Sequence, residues 1–311
     1  MEYKFAFVVL HYGLYDATVK CVDNLLVKLN ADSCVVVVDN GSPDGSGARL
    51  LDRYREQPRV KVILLKENVG FSRGLNAGFQ YAKEEGCSFI ALINNDTWIL
   101  SDNVCEILEQ DYAEYGFDIL GPHIDNPEGE KSTGVNPYHG IEKPDMTAVN
   151  DWEKMLKTSS VRIRMDDLGL GIAYIKALEA VKRLCRRAKP AHEPDLPPQE
   201  DREKIAFGCG LHGCYLIFGP EYVRRYDGLR PVTFLYGEEW LLFRQARLDG
   251  LVTMYEPRIR IWHDEHAVEK KQSGHELKKY LAKLRIQRES YRRIIEFVKE
   301  ERARGRCLDS V

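Results

Sequence analysis

The sequence predicts an α/β protein built on a Rossmann-like, mostly parallel sheet with helices on both faces. Three observations carry this expectation. Short apolar runs alternate with amphipathic stretches through the first third of the chain. The runs at Phe5–Leu10 and Ser33–Asp39 are continuously apolar rather than alternating, the pattern of strands buried on both faces. Polar or glycine-containing turns follow the runs, as strands joined by crossover helices require.

Taken in order, Phe5–Leu10 is a strand, and Val19, Val22, Leu25, Leu26 and Leu29 trace one face of a helix. Ser33–Asp39 is nearly all valine and ends at the turn signal Asn40-Gly-Ser-Pro-Asp-Gly45. A helix around Ala48–Arg55 leads to strand Val60–Leu65, and a helix over Gly74–Glu85 leads to strand Ser88–Ile93. From about residue 139 the pattern loosens. Ile172–Lys189 reads as a helix with five basic residues from Lys182 onward, and Pro190–Pro198 is a proline-rich linker. Strand character resumes at Cys214–Phe218 and again at Arg258–Trp262. Apolar residues at 277, 281, 284, 291, 295 and 298 space a tail helix. The expected division is 1–138, a partly helical insertion at 139–206, 207–266 completing the first unit, and a basic helical tail at 267–311.

With 311 residues, 44% of them hydrophobic, the chain can bury a large core and is not a disordered polymer. No apolar run approaches the ~20 residues of a membrane helix, and Met1–Lys4 do not open a secretory signal. The eight cysteines contain no CxxC pair, which reads as reduced thiols and a cytoplasmic location. A net charge of −3 argues against a general nucleic-acid binder. That total hides an uneven distribution: residues 267–306 hold 13 Lys/Arg against 6 Glu. The tail fits a helix packed on the domain, a peripheral contact with anionic membrane, or a homodimer interface.

In an open parallel sheet, ligands bind beyond the carboxyl ends of the strands. Asp39 closes the second strand and Asn94-Asn95-Asp96 the fourth. Asn68-Val-Gly-Phe-Ser-Arg73-Gly-Leu-Asn76 follows the third and opens a helix. Each has a plainer reading: Asp39 as a turn-starting side chain, Asp96 as a cap, Arg73 as a solvated helix residue. Further on, Glu238 and Glu239 could supply a carboxylate base beside aromatic residues, or complement a helix dipole. His263 could ligate a divalent metal, or be structural. A sugar nucleotidyltransferase would place a basic, glycine-rich loop after the first strand, and a dinucleotide oxidoreductase GxGxxG; His11-Tyr-Gly-Leu-Tyr15 is neither.

In combination these strings resemble the inverting family-2 glycosyltransferases, near bacterial polysaccharide and rhamnosyltransferase-like members. The resemblance rests on Val35–Asp39 with Asn40-Gly-Ser42, on Asn68-x-Gly70-Phe-Ser-Arg73-Gly-x-Asn76, and on Asn94-Asn95-Asp96. It continues in Gly213-Cys214, Tyr236-x-Glu238-Glu239, Arg244-x-x-Arg247-x-x-Gly250 and Trp262-His263. It implies a GT-A fold and transfer of a sugar from a UDP- or dTDP-sugar to a saccharide or lipid-linked saccharide. Asp39 would bind the base, with Tyr12 lining its pocket. Asn68, Arg73 and Asn76 would lie beside ribose and phosphates. Asn94 and Asn95 would face the donor, and Asp96 and His263 would hold Mn²⁺ or Mg²⁺. Glu239 would be the catalytic base, with Glu238 able to share that role. Gly13, Asn94 and Glu239 each depart from the residue usual in the family. They keep open a decayed, binding-only scaffold.

Overall fold

The computed structural model describes residues 3–127, 135–137, 146–171, 173–174, 177, 202–264, 276–306 and 308. The expected helix Ile172–Lys189 and the linker Pro190–Pro198 lie for the most part outside them.

The first part follows the expected succession to within a few residues. It runs β1 (Phe5–His11), α1 (Tyr15–Lys28), β2 (Ser33–Asp39), α2 (Ser46–Arg53), β3 (Val60–Leu64), α3 (Phe71–Glu84) and β4 (Phe89–Asn94). Strand side chains alternate between faces, so Phe5, Phe7, Val35 and Val37 pack toward α1 in one core. Ala6, Val8, Val36 and Val38 pack toward Leu75 and Phe79 of α3 in the other. β2 is buried along its whole length, which is why its sequence shows no alternation.

The rest of the chain runs β5 (Thr97–Ile99), α4 (Val104–Tyr115), β6 (Ile119–Asp125), α5 (Met146–Asp167), β7 (Ala206–Phe207), β8 (Tyr215–Phe218), α6 (Pro220–Arg225), α7 (Glu238–Asp249), β9 (Thr253–His263) and α8 (Glu276–Ala303). The described strands form one sheet in the order β3-β2-β1-β4-β8-β6-β9-β5, with β7 paired to β9. The block β3-β2-β1-β4 is parallel. β8 runs antiparallel to both β4 and β6, while β6 and β9 are parallel.

This topology gathers distant residues on one sheet edge. Register sets His11 opposite Asp39 and Leu10 opposite Asn94. Because β8 is reversed, its first residue lies opposite Ile93 near the end of β4, and the Asn94 amide donates to the Cys214 carbonyl at 2.9 Å. β9 ends at His263, which lies opposite Thr97, the residue after Asp96.

A third apolar cluster joins the insertion and the tail to α7. Val149 of α5, Trp240, Leu241 and Phe243 of α7, and Ile294, Ile295 and Val298 of α8 form it. The Trp152 ring lies 4.8 Å from that of Trp240 and stacks on Tyr291 at 5.1 Å. Each buried aliphatic side chain of this kind contributes about 1.5–3 kcal/mol. Of the three readings of the tail, its apolar stripe therefore takes the first, packing on the domain. Several of its described charges are matched at short range: Glu289 by Arg292 and Arg293, Arg285 by Asp166 and Asp167, and Lys299 by Glu153. Among the described residues no helix is long and apolar enough to cross a membrane.

Candidate active site

At the end of β2, Asp39 is buried, and one carboxylate oxygen accepts from the Ser42 amide at 3.1 Å and its hydroxyl at 2.5 Å. This is the side-chain turn expected on the plainer reading, and it fixes the carboxylate at the sheet edge. The neighbouring Asn40 ties this edge to the loop before α3. Its Nδ2 donates to Asn68 Oδ1 at 3.0 Å and to the Gly70 carbonyl at 3.1 Å, and its Oδ1 accepts from the Val69 amide. Gly70 has φ +93°, and a Cβ there would stand 2.6 Å from the Phe234 carbonyl. Only glycine combines that backbone angle with so close an approach.

The remaining donor-side candidates divide by environment. Tyr12 and Arg73 are exposed, and Arg73 has no ion-pair partner among the described residues. Asn76 is buried and clamps Leu229 through both amide atoms, at 2.7 and 2.8 Å. That occupies the groups with which it would have met a ribose or phosphate. Asn95 is likewise buried, donating to Thr18 Oγ1 at 2.8 Å. The same hydroxyl lies 2.6 Å from His11 Nδ1, and His11 Nε2 lies 2.7 Å from Ser46 Oγ. Burial holds the His11 pKa below its ordinary value despite the nearby Asp39 and Asp44. Asn95 thus braces the strand ends from beneath, while half-buried Asn94 presents a side chain with no hydrogen-bond partner among the described residues.

Asp96 and His263 meet at the ends of β4 and β9. His263 Nε2 stands 3.5 Å from Asp96 Oδ1, both side chains being buried. Among the described residues Asp96 Oδ1 accepts no hydrogen bond and is met by this long ion pair, a weakly satisfied state for a buried carboxylate oxygen. The donor atoms of His212, Cys214 and His263 lie within 4.8 Å of one another. Burial alone would raise the Cys214 thiol, but the His263 and His212 imidazoles bring it down to about 7. Burial would lower His263, whereas Cys214 and Asp96 raise it to about 11. A weakly satisfied carboxylate oxygen beside imidazoles is a donor set that a divalent cation fits.

Glu238 and Glu239 open α7 but face different surroundings. Glu238 is buried, accepts from Thr233 Oγ1 at 3.0 Å, and is pushed up to about 7 by burial and by the adjacent Glu239. Glu239 is half-exposed and packs on Gly213, where a Cβ would stand 2.5 Å from its Oε1. It therefore borders the His212–Cys214 segment, and of the two acids it is the one on the side of the His212, Cys214 and His263 cluster. The turn before it is strained, with Tyr236 at φ +76°. α8 braces that turn: Ser290 donates to the Leu235 carbonyl at 2.6 Å, and a Cβ on Gly237 would stand 2.5 Å from Ile294 Cδ1.

Four residues at this edge lie outside the sequence-based set: His11, Asn40, His212 and Cys214. Asn40 carried a signal in its turn string, and His11 lies at the end of the first strand. His212 carried no local signal and Cys214 only that of the Gly213-Cys214 step, because their meeting with His263 depends on β8 running backwards between β4 and β6.

A nucleotide-type parallel block continued by a mixed half, with acids and a histidine on the shared edge, defines the GT-A class of fold. Residues 7–182 match the Glycosyl transferase family 2 domain, more than half of the chain, and the chain belongs to that family. The uncharacterized glycosyltransferase EpsJ of Bacillus subtilis is 26% identical over 144 residues, 45% of this chain and 40% of that protein. The glycosyltransferase GlyG of Streptococcus pneumoniae is 30% identical over 114 residues, 36% of each chain. The matched stretch thus spans well under half of these relatives. A crystal structure of GalNAc-T7 with UDP, GalNAc and Mn²⁺ superposes with a TM-score of 0.56 at 14% identity, over 84% of this chain and 44% of that one. That likeness concerns the fold.

Proposed function

We propose that the protein is an inverting glycosyltransferase. It moves a sugar from a UDP- or dTDP-sugar to a hydroxyl of a saccharide or lipid-linked saccharide. The observation that carries this reading is the meeting of Asp96, whose buried oxygen has a long ion pair but no hydrogen bond among the described residues, and His263 on the same edge as Glu239.

In this reading Asp39 recognises the base from a carboxylate already fixed by Ser42, and Tyr12 covers the pocket. Arg73, exposed and unpaired among the described residues, meets phosphate charge together with Asn68 and Asn94. Asp96 and His263 hold the cation, Mn²⁺ in preference to Mg²⁺ because imidazole lies in the donor set. When bound, it neutralises charge that develops on the departing diphosphate. Glu239 takes the acceptor hydroxyl proton as that oxygen bonds to the anomeric carbon, opposite the bond that breaks. Glu238, pushed up to about 7, is protonated through much of the neutral range and less suited to that task. Membrane attachment through α8 is not part of the reading, since its apolar stripe is buried.

The test is Glu239→Gln, assayed for release of UDP or dTDP from a panel of UDP- and dTDP-sugars with Mn²⁺ and oligosaccharide acceptors. A general base is worth about 10²–10⁴-fold. A variant retaining more than about a tenth of the wild-type rate removes Glu239 from the role. A wild-type protein that binds and turns over no donor points to the decayed scaffold.

A further inference from the structure

A cavity of about 520 Å³ opens where β6 and β9 end, and Asp96, His263 and Glu239 do not line it. It lies across β9 from His263. Ile259 and Ile261 point into the core shared with α1, whereas Arg258, Arg260 and Trp262 turn to the other face and line the cavity. His123, Asp125 and Asn126 at and just beyond the end of β6, with Arg202 and the exposed Glu203, complete its polar wall.

The cations of this wall are not equivalent. Arg258 is held by Glu256 and Asp111. Arg260 forms a bidentate pair with Asp125 at 2.8 and 2.9 Å. His123 Nδ1 is 2.8 Å from the Tyr255 hydroxyl. Arg202 is different: its carbonyl accepts from that hydroxyl at 2.7 Å, but its guanidinium has no ion pair among the described residues. The residue is only 9% exposed, and its Nε has no hydrogen-bond partner. An unpaired Nε on a largely buried arginine is costly, and an oxyanion brought against the guanidinium offsets that cost. Beside it Trp262 offers an aromatic surface, kept in place by stacking on Trp98 at 6.1 Å with the Lys20 ammonium over the latter ring. Ring face, hydrogen-bonding groups and cavity size together suit a sugar unit.

We propose that this cavity is a second saccharide site. It takes a unit of the acceptor that bears a carboxylate or a phosphate, with Arg202 as the anion's partner and Trp262 as the platform for the ring. This rests on the reading that the protein glycosylates saccharides. Trp262 directly precedes His263, so a unit held here sits on the neighbouring face of the strand that ends at the catalytic edge. The acceptor is then an acidic glycan gripped at a distance from the hydroxyl that reacts.

Binding is measured by calorimetry with the donor site filled by saturating UDP and Mn²⁺. The probes are methyl glucoside, methyl glucuronide and methyl glucoside 6-phosphate. One acidic probe binds the wild type about 10- to 100-fold more tightly than the neutral one, the worth of one charge-assisted hydrogen bond. Whichever acid binds tighter names the substituent. Arg202→Gln removes the preference and leaves UDP affinity unchanged, Arg202→Lys keeps part of it, and Trp262→Leu weakens all three probes alike. Should the Gln variant not fold, the Lys variant and the wild-type comparison still decide. Equal binding of acid and neutral sugar, a preference that survives in Arg202→Gln, or displacement of the acid by UDP overturns the proposal. Failure of UDP and Mn²⁺ to bind, with the acid preference intact, counts against the glycosyltransferase reading and leaves the anionic site standing.

Discussion

The two sides of the ligand edge are built differently. On the side of β1, β2 and the loop before α3, polar side chains are already committed to one another: Asp39 to Ser42, Asn40 to Asn68 and Gly70, His11 to Thr18 and Ser46. On the side of β4, β9 and α7, Asp96 holds a buried oxygen with a long ion pair to His263 but no hydrogen bond among the described residues, Glu238 is pushed up to about 7, and Tyr236 takes a left-handed backbone. The first side is a finished cradle whose shape exists before anything binds. The second is held in an unfavourable state by what surrounds it, as is usual where charge must be managed during a reaction. The brace comes from α8, the helix whose charge alone suggested an outside partner.

Four experiments test that contrast, in falling order of effect. Asp96→Asn removes the charge from the weakly satisfied pair and lowers Mn²⁺ affinity in the presence of UDP by about 100-fold or more. Calorimetric titration reads this directly, and unchanged affinity takes Asp96 out of the cation site. Ile294→Ala, under the Tyr236–Gly237 turn, costs about 2–4 kcal/mol in urea unfolding and also lowers kcat. Leu25→Ala in the core beneath β1 costs a similar amount with kcat retained. Equal behaviour of the two variants would mean that α8 braces nothing in particular.

The third experiment follows pH. Folded Glu238 keeps its proton up to about 7, against 4.5 for an ordinary glutamate. Between those values the native state binds more protons than the unfolded one. Stability therefore falls as pH rises through that window, by about 3 kcal/mol in all, and levels off above it. Glu238→Gln flattens that part of the profile, as urea midpoints at pH 5, 6, 7 and 8 reveal. A profile unchanged by the substitution assigns the slope to other groups. The smallest effect is expected at Arg73→Gln on the finished side. Stability stays within about 0.5 kcal/mol, and the KM for the donor rises by about 10-fold with kcat little changed.

Much of the finished side was legible in the sequence. A strand buried on both faces is apolar along its interior, so Cys34–Val38 between Ser33 and Asp39 declares itself without help from its neighbours. The helices around it announce themselves by period, and the residues that end the strands are polar because ligands and turns meet there. The other side was legible only as a set of suspects. α4, β5 and β6 were not foreseen, and α5 and α8 were read as an insertion and a tail rather than as the packing around α7. Asn76 and Asn95 were in the right place with their amides turned to structural work.

The chain by itself determined the parallel half and the row of polar residues at its strand ends, because local periodicity and turn chemistry encode burial and strand ends. Only the tertiary structure decided that β8 reverses to bring His212 and Cys214 beside His263. It alone showed that Glu239 rather than Glu238 faces them, and that Arg202 is left without an anion among the described residues. Those outcomes depend on pairing direction and on contacts between segments far apart in the chain. A residue's own neighbourhood in sequence holds no record of either.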